Sequence, residues 1–168
     1  KDEASDRRGF AHFFEHLLFE GSDNIERGEF SKYVEKAGGV LNANTNGDRT
    51  YYYEVLPSNQ LELGLWLESE RMLHAKVDQK GVDTQREVVK EERRQRYENQ
   101  PYGSILIEML KRAYTTHPYQ WPTIGFMEDL NAASEADYKA FYKKFYVPNN
   151  AVLVVAGDID PAKARELV

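Results

Sequence analysis

Apolar and polar residues alternate with two periods along the chain, and the switches between them mark out its elements. Gly9 to about Glu20 is predicted as a helix ended by Gly21, and Glu29–Ala37 as a short helix stopped by Gly38-Gly39. Val40–Thr45 and Arg49–Leu56 read as strands, and Asn46-Gly47 between them is a strong hairpin signal. Tyr51, Tyr52 and Tyr53 alternate across the second strand and are assigned to packing. Ser58 or Asn59 can cap a helix reaching about His74, because Leu61, Leu65, Glu68 and Met72 recur at helical spacing; Trp66 on it is assigned to the core. Asp78 or Asp83 opens a further helix that carries Val82 and Val89 and runs to about Asn99, before Pro101. Tyr102–Tyr114 is helical, and so is a segment capped by Ser134 with Asp137 three residues on. Ala151–Ala156 is a continuous apolar run expected to be a buried strand, and Asp160-Pro161 opens a terminal helix. The expected class is α+β, with helices layered on a mixed sheet.

Composition narrows the function. A chain of 168 residues, 41% hydrophobic, has material for a single domain covering residues 1–168. The net charge of −6 argues against a nucleic-acid surface. The mixed charges from Lys90 to Arg96 fit a solvated helix face. There is no cysteine, hence no disulfide, and no apolar stretch approaches the roughly 18 residues of a membrane span.

The chemistry is concentrated in His12-Phe13-Phe14-Glu15-His16. Residues four apart on a helix share a face, so both imidazoles can turn toward one ion while Glu15 projects beside them. This His-x-x-Glu-His order is the inverted form of the zincin motif. A catalytic zinc ion takes three protein ligands and keeps one position for water, so a third ligand is required. The spare histidines are His74 and His117, and the richest carboxylate source is the helix over residues 83–94. There Glu92 shares an inward stripe with Gln85, Val88 and Val89, while Glu91 is rotated toward solvent. An acid on the core side of a helix is costly unless it is paired or bound to metal, which makes Glu92 the expected third ligand.

Phe10 to Ser22, which contains the histidine pair, resembles the signature of the pitrilysin, insulin-degrading enzyme and mitochondrial processing peptidase family. Further matches follow in order: Gly38–Thr45, Thr50-Tyr51-Tyr52, Arg86–Glu92, His117-Pro118-Tyr119, Thr123-Ile124-Gly125, Tyr146–Asn150 and Val152–Asp158. The resemblance implies the family's N-terminal catalytic fold and Zn2+ held by His12, His16 and Glu92, the last some 76 residues beyond the second histidine. It also implies that Glu15 takes a proton from the attacking water and passes it to the leaving amine. Where the family usually has a second glutamate, one repeat before the ligand, this chain has Gln85, which can hydrogen-bond but carries no charge.

Leu41, Asn42, Ala43 and Asn44 lie on a short strand that is polar on alternate residues, suited to a sheet edge that an extended peptide can join. The resemblance implies the same use for them, mostly through backbone. It also implies a second, related half or subunit that encloses the substrate, and N-terminal strands ahead of Lys1, so the chain reads as a fragment. The expected function is therefore a zinc endopeptidase domain acting on peptides or unfolded protein segments. The alternatives are a non-catalytic partner that assembles with an active half, and a helical scaffold with coincidental histidines.

Overall fold

The computed structural model describes residues 1–168. Eight helices and one hairpin form in chain order: α1 (Phe10–Leu17), α2 (Phe30–Lys36), β1 (Val40–Thr45), β2 (Thr50–Val55), α3 (Leu61–Leu73), α4 (Gln79–Arg93), α5 (Ile105–Ala113), α6 (Met127–Ala132), α7 (Glu135–Phe145) and α8 (Pro161–Leu167). The chain divides into two compact units. One comprises Lys1–Leu17, Asn44–Tyr51 and Val77–Lys139; the other comprises Leu18–Ala43, Tyr52–Lys76 and Ala140–Val168.

In the first unit α1 is fixed at both its start and its apolar face. The Glu3 carboxylate accepts from the backbone N–H of Gly9 (2.9 Å) and Ala11 (2.7 Å), satisfying donors that a helix N-terminus leaves free. Phe10 and Phe13 stack on Tyr138, with centroids 4.5 and 4.4 Å away. Gly9 has φ +95°, and a Cβ there would lie 2.7 Å from the Gly125 Cα, so only glycine permits this approach. Helix α4 starts where Asp78 accepts from the Gly81 N–H (2.8 Å) and buries Val82 and Val89 completely. Arg86 donates to the carbonyls of Leu130 and Ala133, at 2.8 Å each, which ties α4 to the end of α6. Beyond Arg93 the helix widens to one π-turn over Arg94–Glu98.

The second unit is built on Ile25, Phe30, Val34 and Leu67, with Phe19, Leu41, Leu56, Leu63 and Trp66 packed against them. Arg71 is buried there. Its guanidinium donates to the Leu18 carbonyl (3.0 Å), contacts the Glu68 carboxylate and lies 4.3–4.9 Å from the ring centroids of Phe19, Phe30 and Tyr52. Cation–π attraction in such a desolvated place offsets part of the cost of burying the charge.

The α+β class and the hairpin agree with the sequence reading, and the Asn46 side chain holds the turn by accepting from the N–H groups of Asp48 and Arg49. Three expectations need correction. The sheet is two-stranded, β1 paired with β2, rather than mixed. Residues 151–156 form no strand and are largely exposed, with Val152 at 90% and Val154 at 75%; a strand needs a hydrogen-bonded neighbour, which apolar composition cannot supply. Tyr51, Tyr53 and Val88 are exposed, while Tyr52 alone of the three tyrosines packs inward. The short α6 carries no cap signal and had no counterpart in the sequence reading.

Candidate metal centre

Helix α1 presents His12 and His16 one turn apart, with ring centroids 4.8 Å apart and nearly edge-on. Helix α4 brings Glu92 to them. Glu92 Oε2 is 3.4 Å from His12 Nε2 and 3.1 Å from His16 Nε2, and one ligand atom from each of the three residues lies within 4.8 Å of the others. His74 instead ends α3 as a largely exposed residue, and exposed His117 accepts from the Tyr119 N–H through Nδ1. Neither belongs to the cluster.

The electrostatics of the cluster fit a cation. Burial pushes the His12 pKa down to about 4; the Glu92 charge opposes this, and His16 and Arg96 add to it. His12 is therefore neutral near pH 7, with a lone pair available to a metal. The close His16 imidazole holds the Glu92 carboxyl below its ordinary range, against desolvation and with help from His12 and Arg96. Glu92 Oε2 is buried and accepts no hydrogen bond of good geometry, while Oε1 pairs with Arg96 Nη1 at 3.0 Å. One oxygen is thus anchored and the other is aimed at the two imidazoles. Two imidazoles and one carboxylate gathered around a buried acceptor is the donor set that Zn2+ takes.

Glu15 lies between the histidines on α1, partly buried, and its Oε2 accepts from the Thr45 hydroxyl at 2.5 Å. Gln85 is partly buried on α4, seven residues before Glu92, and exposed Glu91 pairs with Arg94. In β1, Asn42 and Asn44 are exposed while Leu41 and Ala43 are half-buried, and one edge of β1 carries no neighbouring strand. Sequence reasoning missed Arg96 and the Thr45 contact. Arg96 had a usable signal, because it follows Glu92 by four residues; the Thr45 contact joins separate segments and had none.

A recess of about 230 Å³ opens in the same unit, lined among others by Ala11, Thr45, Tyr97, Leu106, Leu110 and Trp121. Its walls are mainly aromatic and aliphatic. It adjoins the site through Ala11, next to His12, and through Thr45.

Residues 1–125 match the sequence model of the insulinase family (peptidase family M16), and residues 132–168 match that of the peptidase M16 inactive domain. The zinc protease PqqE of Helicobacter pylori is 38% identical over 167 residues, covering 99% of this chain and 38% of that protein. The crystal structure of a protease from Helicobacter pylori superposes with a TM-score of 0.95 at 38% identity, covering 99% of this chain and 40% of that one. The first half of the periplasmic protease PqqL from Escherichia coli superposes with a TM-score of 0.86 at 26% identity, covering 99% and 37%. The chain thus spans well under half the length of the relatives it matches, and the zinc proteases among them identify Zn2+ as the metal of this group. No helix is long and apolar enough to cross a membrane.

Proposed function

Because the chain belongs to the insulinase family, peptidase family M16, we propose that it is the catalytic half of a zinc endopeptidase acting on peptides or unfolded protein segments. The observation that carries this reading is the meeting of His12, His16 and Glu92 around one point, with Glu15 on the same helix turn.

In this reading His12, His16 and Glu92 would hold Zn2+, which would supply a Lewis acid for a peptide carbonyl and lower the pKa of a bound water. Arg96 fixes the far oxygen of Glu92. Glu15 receives the proton of the attacking water and returns it to the leaving amine, the two halves of general base and general acid catalysis. Gln85 supports the ligand helix as a neutral hydrogen-bonding group beneath Glu92. Leu41, Asn42, Ala43 and Asn44 offer the free edge of β1 to an extended substrate, mainly through backbone groups. The recess lined by Leu106, Leu110 and Trp121 accepts an apolar or aromatic substrate side chain.

A second, related half, on the same chain or another subunit, encloses the substrate and completes the site. Support comes from the length comparison above and from the matched structure described as the first half of a protease. The competing reading, a non-catalytic partner, is disfavoured by the presence of Glu15 together with all three candidate ligands. The test is cleavage of a quenched fluorescent peptide by the complete protein and by its Glu15→Gln variant, with zinc content measured on both. The reading expects Glu15→Gln to keep zinc and lose at least about 100-fold in kcat. Equal cleavage by the two proteins, or a wild type without zinc, would overturn it.

A further inference from the structure

A carboxylate that must accept a proton at one oxygen works best when its other oxygen is held, because rotation about the terminal bond otherwise scatters the reactive lone pair. Glu15 is held in this way from outside its own helix. Thr45, the last residue of β1, donates its hydroxyl to Glu15 Oε2 at 2.5 Å, the length of a strong charge-assisted bond. Thr50, the first residue of β2, places its own hydroxyl 3.2 Å from that of Thr45 and 3.5 Å from the carbonyl of Ala11, on α1.

These bonds can be assigned. The single proton of Thr45 goes to the carboxylate, the strongest acceptor in reach. The Thr45 oxygen is then free to accept from Thr50, whose single proton is shared between that oxygen at 3.2 Å and the more distant Ala11 carbonyl at 3.5 Å. Donation to the nearer Thr45 strengthens the bond onward to Glu15. Both threonines are β-branched, half-buried and stiff about χ1, and they flank a turn that the Asn46 side chain fastens at Asp48 and Arg49. The hairpin tip is therefore a rigid splint that reaches the base from the strand side.

Resting on the peptidase reading above, we propose that Thr45, backed by Thr50, is the positioning residue of the general base. Its hydroxyl immobilises Oε2 of Glu15 and reserves Oε1 for the proton of water. During the reaction the water oxygen bonds to the peptide carbonyl carbon as its proton moves to Oε1, and that proton then passes to the leaving amine nitrogen as the C–N bond breaks. Thr45 keeps its own proton throughout. Thr45 is also the end of the strand assigned to substrate, so the element that receives the peptide is the one that orients the base.

The experiment compares wild type, Thr45→Val, Thr45→Ser, Thr50→Val and Glu15→Gln in the complete protein, reading kcat, KM, zinc content and Tm. Thr45→Val keeps the shape and removes the donor, so kcat falls about 10–100-fold with KM within about 2-fold of wild type and zinc retained. Thr45→Ser restores the donor and recovers kcat to within about 3-fold, and Thr50→Val produces a smaller loss, about 3- to 10-fold, in the same parameter. Should Thr45→Val not fold, Thr45→Ala carries the same expectation. Wild-type kcat in Thr45→Val, a loss confined to KM, or a Thr45→Ser variant as impaired as Thr45→Val would overturn the proposal. Glu15→Gln separates the two readings: if it is as active as wild type, the peptidase mechanism itself fails, whatever the threonine variants do.

Discussion

Glu92 Oε2 lies 3.1 Å from His16 Nε2, although about 76 residues separate the two in sequence. Two helices, each capped by a carboxylate, set that distance: Glu3 at the start of α1 and Asp78 at the start of α4. If this approach exists to hold zinc, Glu92→Gln weakens zinc binding by more than about 100-fold, beyond the range seen when an outer partner of a ligand is lost. A competition titration against a chromophoric chelator measures it. An affinity within about 3-fold of wild type would show that Glu92 is not a ligand.

Arg96 pairs with Glu92 Oε1 at 3.0 Å from the exposed π-turn that follows α4. Because the arginine is mostly solvent-exposed, its effect is smaller than that of a ligand. Arg96→Gln lowers zinc affinity by about 10-fold, the low end for a partner that orients a ligand. The same titration reads this, and a change below about 2-fold would count against anchoring from that side.

How much of this arrangement the sequence discloses depends on how local each part is. His12, Glu15 and His16 were legible because one helical turn relates them. Glu92 was legible because an acid on the inward stripe it shares with Gln85 and the buried Val89 demands a partner. The Thr45 hydroxyl on Glu15 was not, since it depends on where a hairpin lands on a helix. Ala151–Ala156 misled for a related reason: its composition suits a strand, but strand formation is a property of two segments and this chain pairs none with it. Val88 was placed inward by counting from Glu92, yet it sits on the flank of α4, where the stripe ends.

The buried cluster around Arg71 predicts a pH dependence of stability. Glu54 and Glu68 both face this single guanidinium, with Glu54 Oε1 3.7 Å from Arg71 Nη2 and without a hydrogen bond. Burial, and secondly the Glu68 charge, push the Glu54 carboxyl up to about 8 against the pull of Arg71. The folded state thus binds this proton more tightly than the unfolded chain, whose carboxyl titrates near 4.5. The contribution is fully present below that value and is lost as pH rises toward 8. Urea unfolding should show stability falling over this window by up to a few kcal/mol. Glu54→Gln should flatten the slope, and an unchanged slope in that variant would contradict the assignment to Glu54.

Gly9 predicts how the start of α1 tolerates change. Alanine there would have to adopt φ +95° with its Cβ 2.7 Å from the Gly125 Cα and 2.8 Å from the Ile124 carbonyl oxygen. Gly9→Ala should cost on the order of 2 kcal/mol or more, read as a lower urea midpoint with an unchanged m-value. A midpoint equal to that of wild type would mean that the two backbones can separate freely.

The most direct measurement is X-ray absorption at the zinc edge on the zinc-loaded protein and its Glu92→Gln variant. The account predicts a first shell of two imidazole nitrogens and light oxygen donors at about 2.0–2.2 Å in the wild type, altered when Glu92 is replaced. A wild-type spectrum without two imidazoles, or one identical in the variant, would contradict it.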